Sequence, residues 1–274
     1  MRIATLITAL SLFLVSCQKE IDWSSGMESA LLIKMTQKTG SDSAVINFTY
    51  DGSKRLIMEK TVGMSQGINV GNELKIVRNG SGIITKTIQK SEAFITAGID
   101  SVETIYHYNT TTNRYTAAVF QITLFGFTVT DSATFTYDGN GNIITAEHFQ
   151  QLPPLPYFQS LKQEYTYSAG NLVQMKQSVY DPPGGMYELI STFNYTYDSK
   201  KSPLIIGKEA IVLNRTGFFG NNNATRAAFI DATDPANNFT TDFDYSYDLS
   251  SKPLTAVSTM TPPGTVSNIT YFYQ

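Results

Sequence analysis

The sequence predicts an all-β protein: a large curved antiparallel sheet or partly closed barrel built from consecutive β-hairpins. Three observations carry this. Beyond the first seventeen residues, no segment keeps apolar residues at i, i+3, i+4 and i+7 over three turns without a Gly, Pro or β-branched interruption. Runs rich in β-branched and aromatic residues, at 45–50, 101–108, 115–129 and 192–197, often alternate with period two and are bounded by Asp, Asn, Gly or Pro. An aromatic-Thr/Ser-Tyr-Asp tetrapeptide recurs at Phe48, Phe135, Tyr195 and Tyr245, with a close variant at Tyr165.

Along the chain, residues 1–16 place one cation, Arg2, before an apolar run from Ile3 to Val15 that is too short for a membrane helix and reads as a cleaved secretory signal. Leu14-Val15-Ser16-Cys17 resembles the bacterial lipobox, which implies acylation of Cys17, the only cysteine of the chain. One acyl chain holds a protein to a bilayer marginally, whereas the three on such a cysteine hold it stably. Residues 17–30, containing Trp23, are expected to be the lipidated end and a tether, and 31–274 a single antiparallel domain.

Within that domain each tetrapeptide is expected to end one strand. Its two aromatics share a face, so Tyr50, Tyr137, Tyr167, Tyr197 and Tyr247 should pack the sheet interior. The aspartates Asp51, Asp138, Asp198 and Asp248 should accept backbone N–H groups in the turns that follow. Aliphatics after each turn (Ile143-Ile144, Leu172-Val173, Leu204-Ile205-Ile206) would start the return strands. Asp181-Pro182-Pro183-Gly184 and Pro262-Pro263-Gly264 read as turns at the opposite ends of hairpins. The prolines of 152–156 exclude a central strand there. About 217–242, Asn-rich and weak in strand pattern, reads as a long loop with a helical turn near 224–229.

The segments YDGNGNI, YDSKKSPL and YDLSSKPL resemble the YD units of Rhs-type repeat proteins, and the last two resemble segments of Bacteroidota lipoproteins of unknown function. The resemblance runs intermittently from about Val45 to the C-terminus, without the tight tandem spacing of Rhs repeats. It implies an aromatic-stacked antiparallel sheet with no assigned catalytic site. The run after Cys17, Gln18-Lys19-Glu20-Ile21-Asp22, resembles the export signals of surface lipoproteins in that group, so the expected location is the outer membrane, on its periplasmic or cell-surface face.

Composition narrows the functional classes. Removing residues 1–16 leaves 258 residues at a formal charge of -4, with no basic block, which argues against nucleic acid as a partner. Two histidines and one lipidated cysteine leave no spacing for a zinc site, and no metal or other cofactor is expected. Asp138-Gly139-Asn140-Gly141-Asn142 opens like a calcium loop but then carries Ile143 where Gly is needed. Gly63-Met64-Ser65-Gln66-Gly67 matches a nucleophile elbow, with Asp100 and His107 or His148 in the right chain order, but a turn-rich β stretch follows where a helix is required. The expectation is a non-catalytic, lipid-anchored envelope protein acting as a binding or scaffold module for a glycan or an envelope protein. The alternative is a secreted hydrolase using Ser65 or an acidic pair. Candidate ligand residues are the aromatics off the repeat: Tyr157, Phe158, Phe218 and Phe219.

Overall fold

A computed structural model describes residues 30–65, 67–124, 127–151, 157–204, 209–213 and 220–274. Among these residues sixteen strands follow one another: β1 (Leu32–Thr39), β2 (Asp42–Tyr50), β3 (Leu56–Ser65), β4 (Ile68–Arg78), β5 (Ile84–Ser91), β6 (Val102–Asn109), β7 (Arg114–Leu124), β8 (Phe127–Tyr137), β9 (Ile143–Gln151), β10 (Phe158–Ser168), β11 (Asn171–Asp181), β12 (Met186–Lys201), β13 (Asn222–Asp231), β14 (Phe239–Tyr247), β15 (Pro253–Thr261) and β16 (Thr265–Tyr273). Two short helices lie in connections, α1 (Glu92–Thr96) and α2 (Glu209–Val212). Each strand pairs antiparallel with its chain neighbours and β1 closes on β16, so the sheet is a complete up-and-down barrel. Met35 sits opposite Tyr271 at the seam, where Leu31 and Gln274 exchange both backbone hydrogen bonds at 2.9 Å. Full closure pairs the strand edges that an open sheet would leave available to other chains.

The meander gives the barrel two unlike ends. Both described termini and every connection from an even to an odd strand lie at one end, here the near end; the odd-to-even connections form the far end. Four near-end turns share one construction. The Oδ1 atoms of Asp51, Asp138 and Asp248 accept backbone N–H groups two and four residues on, at 2.8–3.0 Å, and Asn79 does the same at 3.0 and 3.1 Å. The residue three places after each of these four has positive φ: Lys54 at 60°, Gly82 at 84°, Gly141 at 78° and Ser251 at 65°. Two of the four turns therefore place a side chain in the left-handed region that glycine occupies without cost.

Two expectations fail here. Asp198 accepts the backbone N–H of Lys200 at 2.9 Å as expected but does not open a hairpin: β12 continues to Lys201, and Leu204, fully buried, begins a connection containing α2 and not a return strand. The return strand is β13, inside the segment expected to be a loop with a helical turn at 224–229, and β14 takes up residues from 239. The sequence misleads because the alanines of NNATRAAFID look like weak strand formers. Their neighbours explain them: Ala227 lies opposite Tyr195, and buried Ala224 accepts the Tyr245 hydroxyl on its carbonyl at 3.0 Å. Small residues are required where two large rings fill the adjacent strands.

The candidate functional site is the barrel lumen

Burial alternates along the strands and places the buried set inside. On β16, Ser267, Ile269 and Tyr271 are buried while Val266, Asn268 and Phe272 are exposed; on β2, Ile46 and Phe48 are buried while Ser43, Asn47 and Thr49 are exposed. Cross-strand register carries this parity around the barrel, so the interior face can be followed strand by strand.

The near end of the lumen is a packed floor. Its core joins Leu32, Leu56, Ile84, Ile143 and Leu172, from the starts of odd strands, to Phe48, Tyr106, Tyr165, Tyr195 and Tyr271, from the later parts of even strands. The repeat tyrosines close it by one rule: the phenol at the end of an even strand donates to a carbonyl at the start of the odd strand before it. Tyr50 donates to Leu32 O at 2.8 Å, Tyr137 to Tyr115 O at 2.6 Å, Tyr167 to Ile143 O at 2.7 Å, Tyr197 to Leu172 O at 2.6 Å and Tyr273 to Pro253 O at 2.8 Å. Tyr247 departs from the rule and donates to the Asp198 carboxylate, which also accepts the backbone N–H of Asn223 at 3.1 Å. Burial pushes up the phenols of Tyr50, Tyr137, Tyr247 and Tyr273, that of Tyr137 to about 12. At β4 an arginine replaces the tyrosine. Arg78, on the floor, reaches Leu56 O at 3.3 Å and makes a bidentate pair with Glu209 of α2 at 2.7 and 2.8 Å, while Tyr115 also donates to Glu209 at 3.2 Å. Ala210, Ile211 and Val212 of α2 are buried in the same core, so this connection fills the floor.

Above the floor the wall changes character. Lumen-facing positions become polar on many strands: Gln37 and Thr39 on β1, Asn72 on β4, Gln163 on β10, Gln177 on β11 and Ser191 on β12. Several bond to one another, including Thr39 to Ser267 at 2.5 Å and Ser191 to Gln177 at 3.0 Å. Asp131 on β8 is buried and accepts from Gln150 Nε2 at 3.1 Å, and its other oxygen lies 3.1 Å from His148 Nδ1. Phe120 stands directly opposite Asp131 on β7. Half-buried aromatics line the next arc, where Phe229 lies 4.9 Å from Phe193 and stacks on Phe239 at 5.0 Å and 26°. A wall of aromatic faces interleaved with amides and hydroxyls suits a ligand that has both apolar faces and polar substituents.

The outer face is mostly polar, with exposed Val62, Ile105, Leu189, Val257, Val266 and Phe272 interspersed. Lys60 pairs with Glu73 at 3.4 Å, Lys86 with Glu103 at 2.9 Å, Lys162 with Glu164 at 3.2 Å and Arg226 with Asp242 at 3.6 Å, all within strands. Thr49, Asn194, Thr196, Asp244 and Asn268 lie on the same face.

Of the four aromatics singled out from sequence, Phe158 stands opposite Gln150 on the lumen face, whereas Tyr157 is exposed at the far rim with its hydroxyl 3.4 Å from Ser132 Oγ. Phe218 and Phe219 lie outside the described residues, as do Cys17 and the tether. The Ser65 constellation is not assembled: the chain goes from β3 directly into β4 with Ser65 opposite Ile68, and His148 is paired with Asp131 and not with Asp100. Among the described residues no cluster of three or more His, Cys, Asp or Glu could hold a metal. The sequence reading missed Phe120, Asp131, His148, Gln150, Phe229 and Phe239 as a group. Period-two alternation marks each as sharing a face with core residues, but only closure shows that the face lines a lumen.

No known family profile matches the chain, and no curated protein does. Among solved structures, it is similar to a porin-like protein from Bacteroides uniformis, with a TM-score of 0.53 at 12% identity over 89% of this chain and 98% of that one. A porin-like protein from Bacteroides vulgatus gives a TM-score of 0.52 at 10% identity over 89% and 99%. At such identities the likeness is one of fold: an antiparallel closed barrel.

Proposed function

We propose that this protein is a non-catalytic envelope barrel, anchored by acyl chains on Cys17, that stands in water and takes a glycan into the upper half of its lumen. The observation that carries the reading is the inversion of the barrel relative to a membrane pore. A membrane barrel shows lipid an apolar band about 25 Å tall, and a Lys or Arg at the bilayer midplane costs about 2–4 kcal/mol. Here Lys60, Glu73, Lys86, Glu103, Lys162 and Arg226 occupy outward positions of their strands, interspersed with exposed apolar residues such as Val62 and Val257, and the packed apolar core lies inside. The porin-like neighbours share the barrel closure; the outward lysines and the packed floor argue against conduction by this chain. The signal and lipobox, with the described N-terminus at the near end, support an anchor at the floor and a lumen that opens away from it.

A glycan is favoured over a protein partner because the polar and aromatic groups converge inside a lumen. The test uses Phe239→Trp in the Cys17→Ser background, which places an indole on the lumen wall. Neutral envelope oligosaccharides should shield that indole from acrylamide quenching. Shielding of an indole introduced at outward Thr255 and not at 239 would overturn the lumen assignment.

A further inference from the structure

Above the floor, where Arg78 lies, the charged groups at the described lumen-facing positions have one sign. They are acidic, Asp42, Asp131 and Glu188, with Asp231 at the rim, while Lys34, Lys60, Lys75, Lys86, Lys162 and Lys176 all point outward. A cleft whose low-dielectric walls carry one sign of charge focuses the field and concentrates counter-charged ligands.

The Asp131 cluster gives that field a point of contact. Gln150 Nε2 and His148 Nδ1 are both directed at the Asp131 carboxylate, at 3.1 Å each. With its Nδ1 proton given to Asp131, His148 is fixed in the tautomer that leaves Nε2 as an acceptor. Gln150, having turned its amide nitrogen to Asp131, has its carbonyl oxygen on the other side. Two hydrogen bonds also leave a carboxylate with unused lone pairs. Toward the lumen the cluster therefore offers acceptors and a negative charge, and it asks a ligand for donors and a positive charge. Phe120, opposite Asp131, and Phe158, opposite Gln150, add aromatic surface of the kind that attracts ammonium groups.

We infer that Asp131, His148, Gln150 and Phe120 form a subsite for a protonated amine, so that the lumen ligand is an amine-bearing, cationic saccharide. This rests on the lumen reading above and specifies its ligand class. Isothermal titration of the full chain carrying Cys17→Ser with a glucosamine tetramer, its amines protonated, is set against the N-acetylated tetramer, which has the same skeleton without the charge. The expected result is at least tenfold tighter binding of the amine form. Asp131→Asn should abolish that preference, Asp244→Asn, on the outer face, should preserve it, and the far-ultraviolet circular dichroism of both variants should be unchanged. Equal binding of the two tetramers would overturn the amine subsite and leave the lumen reading standing. Binding of neither would also overturn the subsite, while the indole experiment decides the lumen reading by itself. A preference that survives Asp131→Asn would place the cation elsewhere and overturn the assignment.

Discussion

Removing one phenolic oxygen from the floor tests the tyrosine rule without disturbing the rings. In Tyr167→Phe the ring keeps its packing against the core, but the 2.7 Å bond to Ile143 O is lost. A typical intramolecular hydrogen bond contributes about 0.5–1.5 kcal/mol net, and a buried acceptor left unsatisfied costs about 1–3 kcal/mol. The site is part-buried, so water can reach the carbonyl in the variant and the expected loss is about 1–1.5 kcal/mol. Tyr137→Phe and Tyr197→Phe break equivalent bonds at 2.6 Å in other hairpins with other acceptors, and changes at separate sites add. The triple variant should therefore lose about 3–4.5 kcal/mol, a large part of the roughly 5–15 kcal/mol that holds a folded protein. Urea unfolding followed by circular dichroism reads this as a lower midpoint at unchanged slope. Tyr157→Phe, at the exposed rim with a 3.4 Å contact, is the control and should be neutral. If the triple variant unfolds at the same urea concentration as the control, the phenol-to-carbonyl bonds do not hold the floor and the account of the repeat is wrong.

Alkaline titration gives a second test. Phenols whose folded pKa lies above 10 stabilise the fold fully below the unfolded value, and that stability is lost as pH rises past 10 toward the folded value, about 12 for Tyr137. Tyrosinate absorbance from the floor should consequently appear together with loss of strand dichroism; titration of most tyrosines in an intact barrel would contradict it. Arg78→Met leaves Glu209 without its bidentate partner and should cost about 3 kcal/mol, of which Glu209→Gln in the same chain restores part; thermal unfolding of the two single variants and the double one measures this. Lys54→Gly and Ser251→Gly relieve positive φ in two of the shared turns and should each raise stability by about 1 kcal/mol, in contrast to Gly141→Ala, which should lower it. Cys17→Ser should move the protein from the membrane fraction to the aqueous one without detergent; a variant that stays membrane-bound would refute the acyl anchor and revive a membrane-spanning barrel.

Local chemistry was legible in the sequence because it depends on near neighbours. Period-two alternation fixed which residues of Phe48–Tyr50 or Tyr245–Tyr247 share a face, and the Asp of the repeat announced the turns at 51, 138 and 248 because an Asx turn needs only four or five consecutive residues. What the tertiary structure decided depended on residues far apart in the chain. The alanines of β13 make a strand only beside Tyr195 and Tyr245; Asp198, besides its local contact with the Lys200 N–H, serves Tyr247, 49 residues away, and opens no hairpin. Closure of β1 on β16 is the largest such decision, since the same alternating pattern fits an open sheet equally well and only the summed curvature of all the hairpins brings Met35 to Tyr271. That closure turns one face of a sheet into a lumen, and with it a buried aspartate, a histidine and a glutamine from adjacent strands into a site.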